Sequence, residues 1–137
     1  MRQTKAIYAR GNIMISRFKI CSNDVKSCLF QSYLRSPYGS QLWTDYPSNV
    51  FRKACVAYNN ICRTFFNIKR GSSMSEFYVN NDMDSFLVLY RKCIGNFRNR
   101  LLQCDNLLVQ TIVSSVFFHF NSSHATTWKK HLFNLND

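Results

Sequence analysis

Asn49-Val50-Phe51-Arg52-Lys53-Ala54-Cys55-Val56-Ala57-Tyr58-Asn59-Asn60-Ile61-Cys62-Arg63-Thr64-Phe65-Phe66 is the stretch that decides the fold class. Stepped at about 100° per residue, Val50, Phe51, Ala54, Ala57, Tyr58, Ile61, Cys62 and Phe65 share one side of a helix. Arg52, Lys53, Asn59, Asn60 and Arg63 line the other, and Val56 is the misfit among them. The segment therefore predicts an amphipathic helix with an apolar face to bury and a basic face to show.

The same period extends outward. From Arg2 to Phe18, residues Ile7, Tyr8, Gly11, Met14, Ile15 and Phe18 face one way, and Arg2, Lys5, Arg10 and Arg17 the other; Ile13 is out of place. Ser22-Asn23-Asp24 supplies a cap and a first-turn carboxylate for a second helix, with Val25, Cys28, Leu29 and Tyr33 as its apolar stripe to about Leu34. Ser36-Pro37-Tyr38-Gly39 breaks it, and Gln41-Leu42-Trp43 forms a short connection before Tyr46-Pro47-Ser48 opens the decisive helix. Lys69-Arg70-Gly71 is expected to end that helix. Ser73 with Glu76 forms a capping box for a short one. Asp82 or Asp84 is then expected to cap a long helix that buries Phe86, Leu87, Tyr90, Cys93, Ile94, Phe97 and Leu101, with Arg91, Arg98 and Arg100 flanking the stripe. Asp105 is expected to cap a further helix through about Val113. The tail mixes polar residues with Phe117, Phe118, Phe120 and Trp128, and one more helix fits near 126–133. The expectation is an all-α bundle of about five or six helices, with 1–113 as a basic helical region and 114–137 as a separate tail.

Composition agrees. Apolar residues form 46% of the 137, enough for one modest core, while 4 Gly and 2 Pro are too few for a turn-rich sheet protein. Lys and Arg number 18 against 7 Asp and Glu, a net charge of +11. A field of that sign attracts polyanions, with nucleic acid foremost and an anionic membrane or an acidic protein as alternatives.

Other chemistry finds little footing. The cysteines at 21, 28, 55, 62, 93 and 104 form no Cys-x-x-Cys pair, and His119, His124 and His131 lie in the tail, so no zinc motif is expected. With no apolar signal segment at the start, reduced thiols in a cytoplasmic or nuclear protein are the expectation. The most apolar stretch, Leu107 to Phe120, is interrupted and too short to span a membrane. No phosphate-binding glycine loop occurs, and helix capping accounts for Asp82 and Asp84 better than a metal pair. Neither a catalytic residue, a metal ligand nor a cofactor is assigned.

Several runs, in order, resemble one family. They are Ile7-Tyr8-Ala9-Arg10-Gly11-Asn12-Ile13, Asp24-Val25-Lys26 with Leu29-Phe30 and Ser32-Tyr33, and Tyr38-Gly39 with Gln41-Leu42-Trp43. Val56-Ala57-Tyr58-Asn59-Asn60 with Arg63, and Leu101-Leu102 with Asp105-Asn106, complete the series. Together they are similar to the region that follows the polymerase core in LINE-type (non-LTR, jockey-like) retrotransposon reverse transcriptases, from about Met1 to Val113. The family is RNA-directed DNA polymerase, with metal-binding aspartates in an upstream palm; Asn81-Asp82-Met83-Asp84 does not match that motif, so no catalytic residue carries over. The resemblance implies a helical, thumb-like region that holds an RNA–DNA or DNA duplex, with Arg10, Arg52, Lys53 and Arg63 on phosphates and the upstream polymerase domains as a further partner. It also implies that the reading frame, open or decayed, continues upstream of Met1 into a palm. Leu34 and Ser40 stand where the family commonly has cysteine, and Lys69-Arg70-Gly71 where it has a Pro-Arg turn, departures that fit a drifting copy.

The candidate nucleic-acid contacts are thus Arg2, Lys5, Arg10, Arg17, Arg52, Lys53, Arg63, Lys69 and Arg70, mainly through phosphates. Asn59, Asn60, Asn96 and Asn99 are further candidates for sugars or phosphates. The other readings are a basic helical protein-interaction module and a relic reading frame with no selected function.

Overall fold

The computed structural model describes residues 2–34 and 48–115. Helices make up 79% of them and no strand occurs among them, so the fold is all-α. The described helices are α1 (Arg2–Phe18), α2 (Asn23–Leu34), α3 (Ser48–Phe66), α4 (Met74–Asn80), α5 (Phe86–Leu102) and α6 (Leu107–Ser114). The expected break at 36–39, the connection at 41–43 and the helix near 126–133 lie outside the described residues. Two compact units divide the chain inside α5: α1 to α4 and α5 as far as Leu89 belong to one, and α5 from Tyr90 and α6 to the other.

In the first unit α1, α2 and α3 pack on one another. Aromatic rings fill the space between α2 and α3. Phe30 of α2 meets the Tyr58 ring edge-on at 5.1 Å and lies 6.4 Å from Phe65 and 5.7 Å from Phe66. Phe86 then reaches Tyr58 at 5.7 Å and Phe51 at 5.6 Å, which ties the start of α5 to α3. Such pairs add about 0.5–1.5 kcal/mol beyond the area they bury. On α3 the predicted face is the buried one: Ala54, Ala57, Tyr58, Ile61, Cys62 and Phe65 are all buried, and the misfit Val56 is 49% exposed.

Gly11 sets how closely α1 approaches α3. A Cβ at this position would stand 2.5, 2.6 and 2.7 Å from Cδ1, Cγ2 and Cγ1 of Ile61. Ile61 is buried and, as a β-branched residue within a helix, held to one strongly preferred χ1, so its side chain does not swing clear cheaply. Alanine would gain roughly 1 kcal/mol in helix propensity, against about 1–3 kcal/mol for overpacking. The second term wins, because the clash involves the whole branched side chain. Gly11→Ala is expected to lower stability by about 1 kcal/mol, and an Ile61→Ala background should remove that loss. Guanidinium midpoints of the four proteins check it; a raised midpoint for Gly11→Ala alone refutes the close approach.

Several sequence expectations need correction. On α2 the buried residues are Phe30 and Leu34, whereas Val25, Cys28 and Tyr33 are exposed. Apolar side chains spread widely around this helix, and Phe30 lies roughly 140° around from Val25, so periodicity alone favours neither side of that spread. The aromatic pocket on α3 chooses Phe30. Tyr8, assigned to the core face of α1, sits at its edge with 37% exposure.

Helix ends differ too. α3 stops at Phe66 because Asn67 takes a positive φ of 56° and the Ile68 N–H donates to the Arg63 carbonyl at 2.9 Å. Lys69-Arg70-Gly71 follows that stop rather than making it. Ser73 does cap α4, its hydroxyl accepting from the Glu76 N–H. Asp82 ends α4 in the same left-handed way (φ 49°), with the Met83 N–H on the Tyr78 carbonyl at 2.8 Å. The cap of α5 is Ser85, whose hydroxyl accepts from the Val88 N–H, so neither Asp82 nor Asp84 holds that place. Leu89 is buried in α5 while Leu87 is 38% exposed, a small rotation of the expected stripe.

In the second unit Tyr90 and Ile94 are buried, as expected. Asn106, not Asp105, caps α6: its side-chain oxygen accepts from the N–H groups of Leu108 at 2.9 Å and Val109 at 3.4 Å. α6 buries none of its residues and exposes Leu107, Leu108 and Ile112.

Candidate nucleic-acid interface

α1 and α3 run side by side in the same direction. Thr4 and Tyr8 share a groove with Asn49, Arg52, Lys53 and Val56; further along, the Asn60 amide donates to the Tyr8 hydroxyl at 3.3 Å, and Gly11 reaches Ile61. The contacts ascend together on both helices. Both helices therefore begin at the same end, where their dipoles add positive potential, and neither has an acid in its first turn.

Lys5, Arg10 and Arg17 of α1 and Arg52 and Lys53 of α3 are exposed, and Arg2 is the first residue of α1. Arg52 and Lys53 line the groove, with Lys5 next to its Thr4 wall. Arg10 and Arg17 project from the other flank of α1, by the angular step of a helix. Lys69 and Arg70 are exposed in the turn beyond α3. From Lys53 to the end of α3 is roughly 20 Å at 1.5 Å per residue. The basic residues are thus spread over more than half a turn of B-form DNA, which repeats about every 34 Å.

Arg63 is placed differently. Its guanidinium donates to the carbonyls of Lys69 at 2.7 Å and Ser72 at 2.8 Å, pinning the turn after α3. Its charge also lies in the last helical turn, where it complements the dipole. Asn59 is occupied as well, accepting from the Tyr78 hydroxyl at 2.8 Å. Asn96 and Asn99 are exposed on α5, in the other unit.

Sequence reasoning missed Thr4, Tyr8, Asn49 and Val56 as neighbours of the cations. The signal was Val56 itself, an apolar residue on a polar face. A second cavity of about 590 Å³ lies between α3, α4 and the start of α5, lined by Cys55, Asn59, Tyr78, Asp82 and Asp84 among others. Its polar groups serve the fold: the Tyr58 hydroxyl donates to the Asp84 carbonyl at 3.2 Å, and Tyr78 binds Asn59.

All six cysteines are free thiols. Burial pushes the Cys62 thiol from its ordinary 9.0 up to about 12, against the weaker opposing pull of Tyr78 and Arg63. Burial also raises Cys55. A thiol held protonated is a poor nucleophile. At pH 8 a disulfide reagent is expected to label Cys28 within the native protein and Cys62 only after denaturation, as peptide mapping would record. The linked stability has a definite sign. Unfolded Cys62 ionises near 9 and folded Cys62 only near 12, so its share of stability is complete below pH 9 and is lost as pH rises from there towards 12.

Compared with protein-family models, curated proteins and solved structures, the chain matches none. Among the described residues, no three metal-binding side chains gather, and no helix is long and apolar enough to cross a membrane.

Proposed function

We propose that this chain binds nucleic-acid duplex through its phosphates, as the thumb-like, post-polymerase part of a LINE-type reverse transcriptase, without polymerising by itself. One observation carries the reading. The packed pair α1 and α3 holds Arg2, Lys5, Arg10, Arg17, Arg52, Lys53 and Arg63, and neither helix contains an Asp or Glu. An ordinary surface interleaves both signs, whereas a single-sign field is what a polyanion requires. The acids of the described residues lie on other elements: Asp24 on α2, Glu76 on α4, Asp82 and Asp84 before α5, and Asp105 before α6. The ordered runs of family-like sequence support the retrotransposon origin.

Fluorescence anisotropy with RNA–DNA hybrid, DNA duplex and single strands across a salt series tests it. Binding should show little sequence preference and weaken steeply with salt. No binding near physiological salt would reject the reading. A protein-interaction module is the second reading, favoured by exposed Leu107, Leu108 and Ile112 on α6; loss of duplex binding by charge reversal on α1 and α3 separates it from the first.

A further inference from the structure

The groove between α1 and α3 holds more than a phosphate-binding surface needs. Its volume is about 800 Å³, and its walls are Thr4, Tyr8, Asn49, Arg52, Lys53 and Val56. Pockets that enclose small organic ligands run from roughly 300 to 1,000 Å³. Among the described residues, two cations and no acid line the groove beside an aromatic ring that is 37% exposed and an aliphatic side chain that is 49% exposed. Phosphate contact alone makes no use of exposed apolar surface, and an apolar docking groove makes no use of two cations. A nucleotide uses both, since its base stacks on a ring and its phosphate pairs with a cation. The Tyr8 ring is also held in place, because its hydroxyl accepts from the Asn60 amide on the neighbouring helix at 3.3 Å.

Resting on the proposed duplex binding, we infer that this groove takes one unpaired nucleotide at the end of a strand. The base lies against Tyr8 and Val56, and its phosphate lies between Arg52 and Lys53. Thr4 and Asn49 offer a hydroxyl and an amide to the sugar or the base edge, without a fixed preference for one base. The protein would therefore favour a duplex with an overhang over a blunt one.

The test compares a blunt DNA duplex with the same duplex carrying a single-nucleotide 5′ or 3′ overhang, and with an abasic overhang that keeps the phosphate. An unpaired base on one of the two ends should tighten binding about tenfold, within the usual range for stacking, and the abasic overhang should recover little of that. Tyr8→Leu, which removes the ring, should bring the ratio of overhang to blunt affinity close to one. Equal affinity for blunt, base-bearing and abasic ends, or an undiminished ratio in Tyr8→Leu, overturns the inference. The abasic comparison needs no variant, so a folding defect cannot obscure it. Tight blunt-duplex binding without an overhang gain defeats this inference alone. An overhang or single strand that binds where blunt duplex does not defeats the duplex reading alone. Absence of all binding defeats both.

Discussion

Reversing Lys5, Arg52 and Lys53 to Glu should weaken duplex binding roughly 500-fold at 0.1 M salt. Each neutralised phosphate adds about −0.9 to the slope of log K against log salt on B-form DNA, so three lost contacts flatten it by about 2.7. Referred to 1 M salt, where counterion release adds nothing, a slope of that size at 0.1 M is worth about 10 to the power 2.7. Repulsion by the three new carboxylates makes the loss larger. The effect should be similar for every duplex sequence, because phosphates carry no base information. Arg63→Gln is the control: Arg63 already spends its guanidinium on the carbonyls of Lys69 and Ser72, so the variant should lose stability while the salt slope stays nearly unchanged. Anisotropy titrations across a salt series, beside thermal melts of each variant, measure both. A triple reversal that leaves affinity intact moves the function to protein contact.

Phe30→Ala should cost about 3–5 kcal/mol, the usual loss for an aromatic ring truncated in a core. Phe30 is fully buried and touches the rings of Tyr58, Phe65 and Phe66, so its removal opens a cavity where α2 meets α3. Against a total stability of about 5–15 kcal/mol for a small domain, that loss removes a large share of what holds the chain folded. Tyr33→Ala, three residues on, should stay within about 0.5 kcal/mol, since Tyr33 is half exposed. Urea unfolding followed by far-UV circular dichroism measures both. If Tyr33→Ala proved the costlier change, the orientation assigned to α2 would be wrong.

Periodicity alone determined the helical class, the burial of the Ala54 to Phe65 face and the basic outer sides of α1 and α3. Those helices have one apolar side and one polar side, so a step of about 100° per residue identifies the face that leaves water. Where that contrast fails, tertiary structure decides. On α2 apolar side chains spread over about two thirds of the circumference, and only the ring pocket made by Tyr58, Phe65 and Phe66 selects Phe30 over Tyr33. Helix ends depended on single residues in special conformations: Asn67 and Asp82 stop α3 and α4 in the left-handed region, which a composition rich in Asn does not localise. Arg63 read as one more cation, because its bonds to Lys69 and Ser72 exist only once the turn after α3 folds back. The groove at Tyr8 and Val56 joins residues far apart along the chain, and it required the close approach that Gly11 allows against Ile61. Amphipathic patterns record which side of a helix is buried; they hold no information on which other helix buries it.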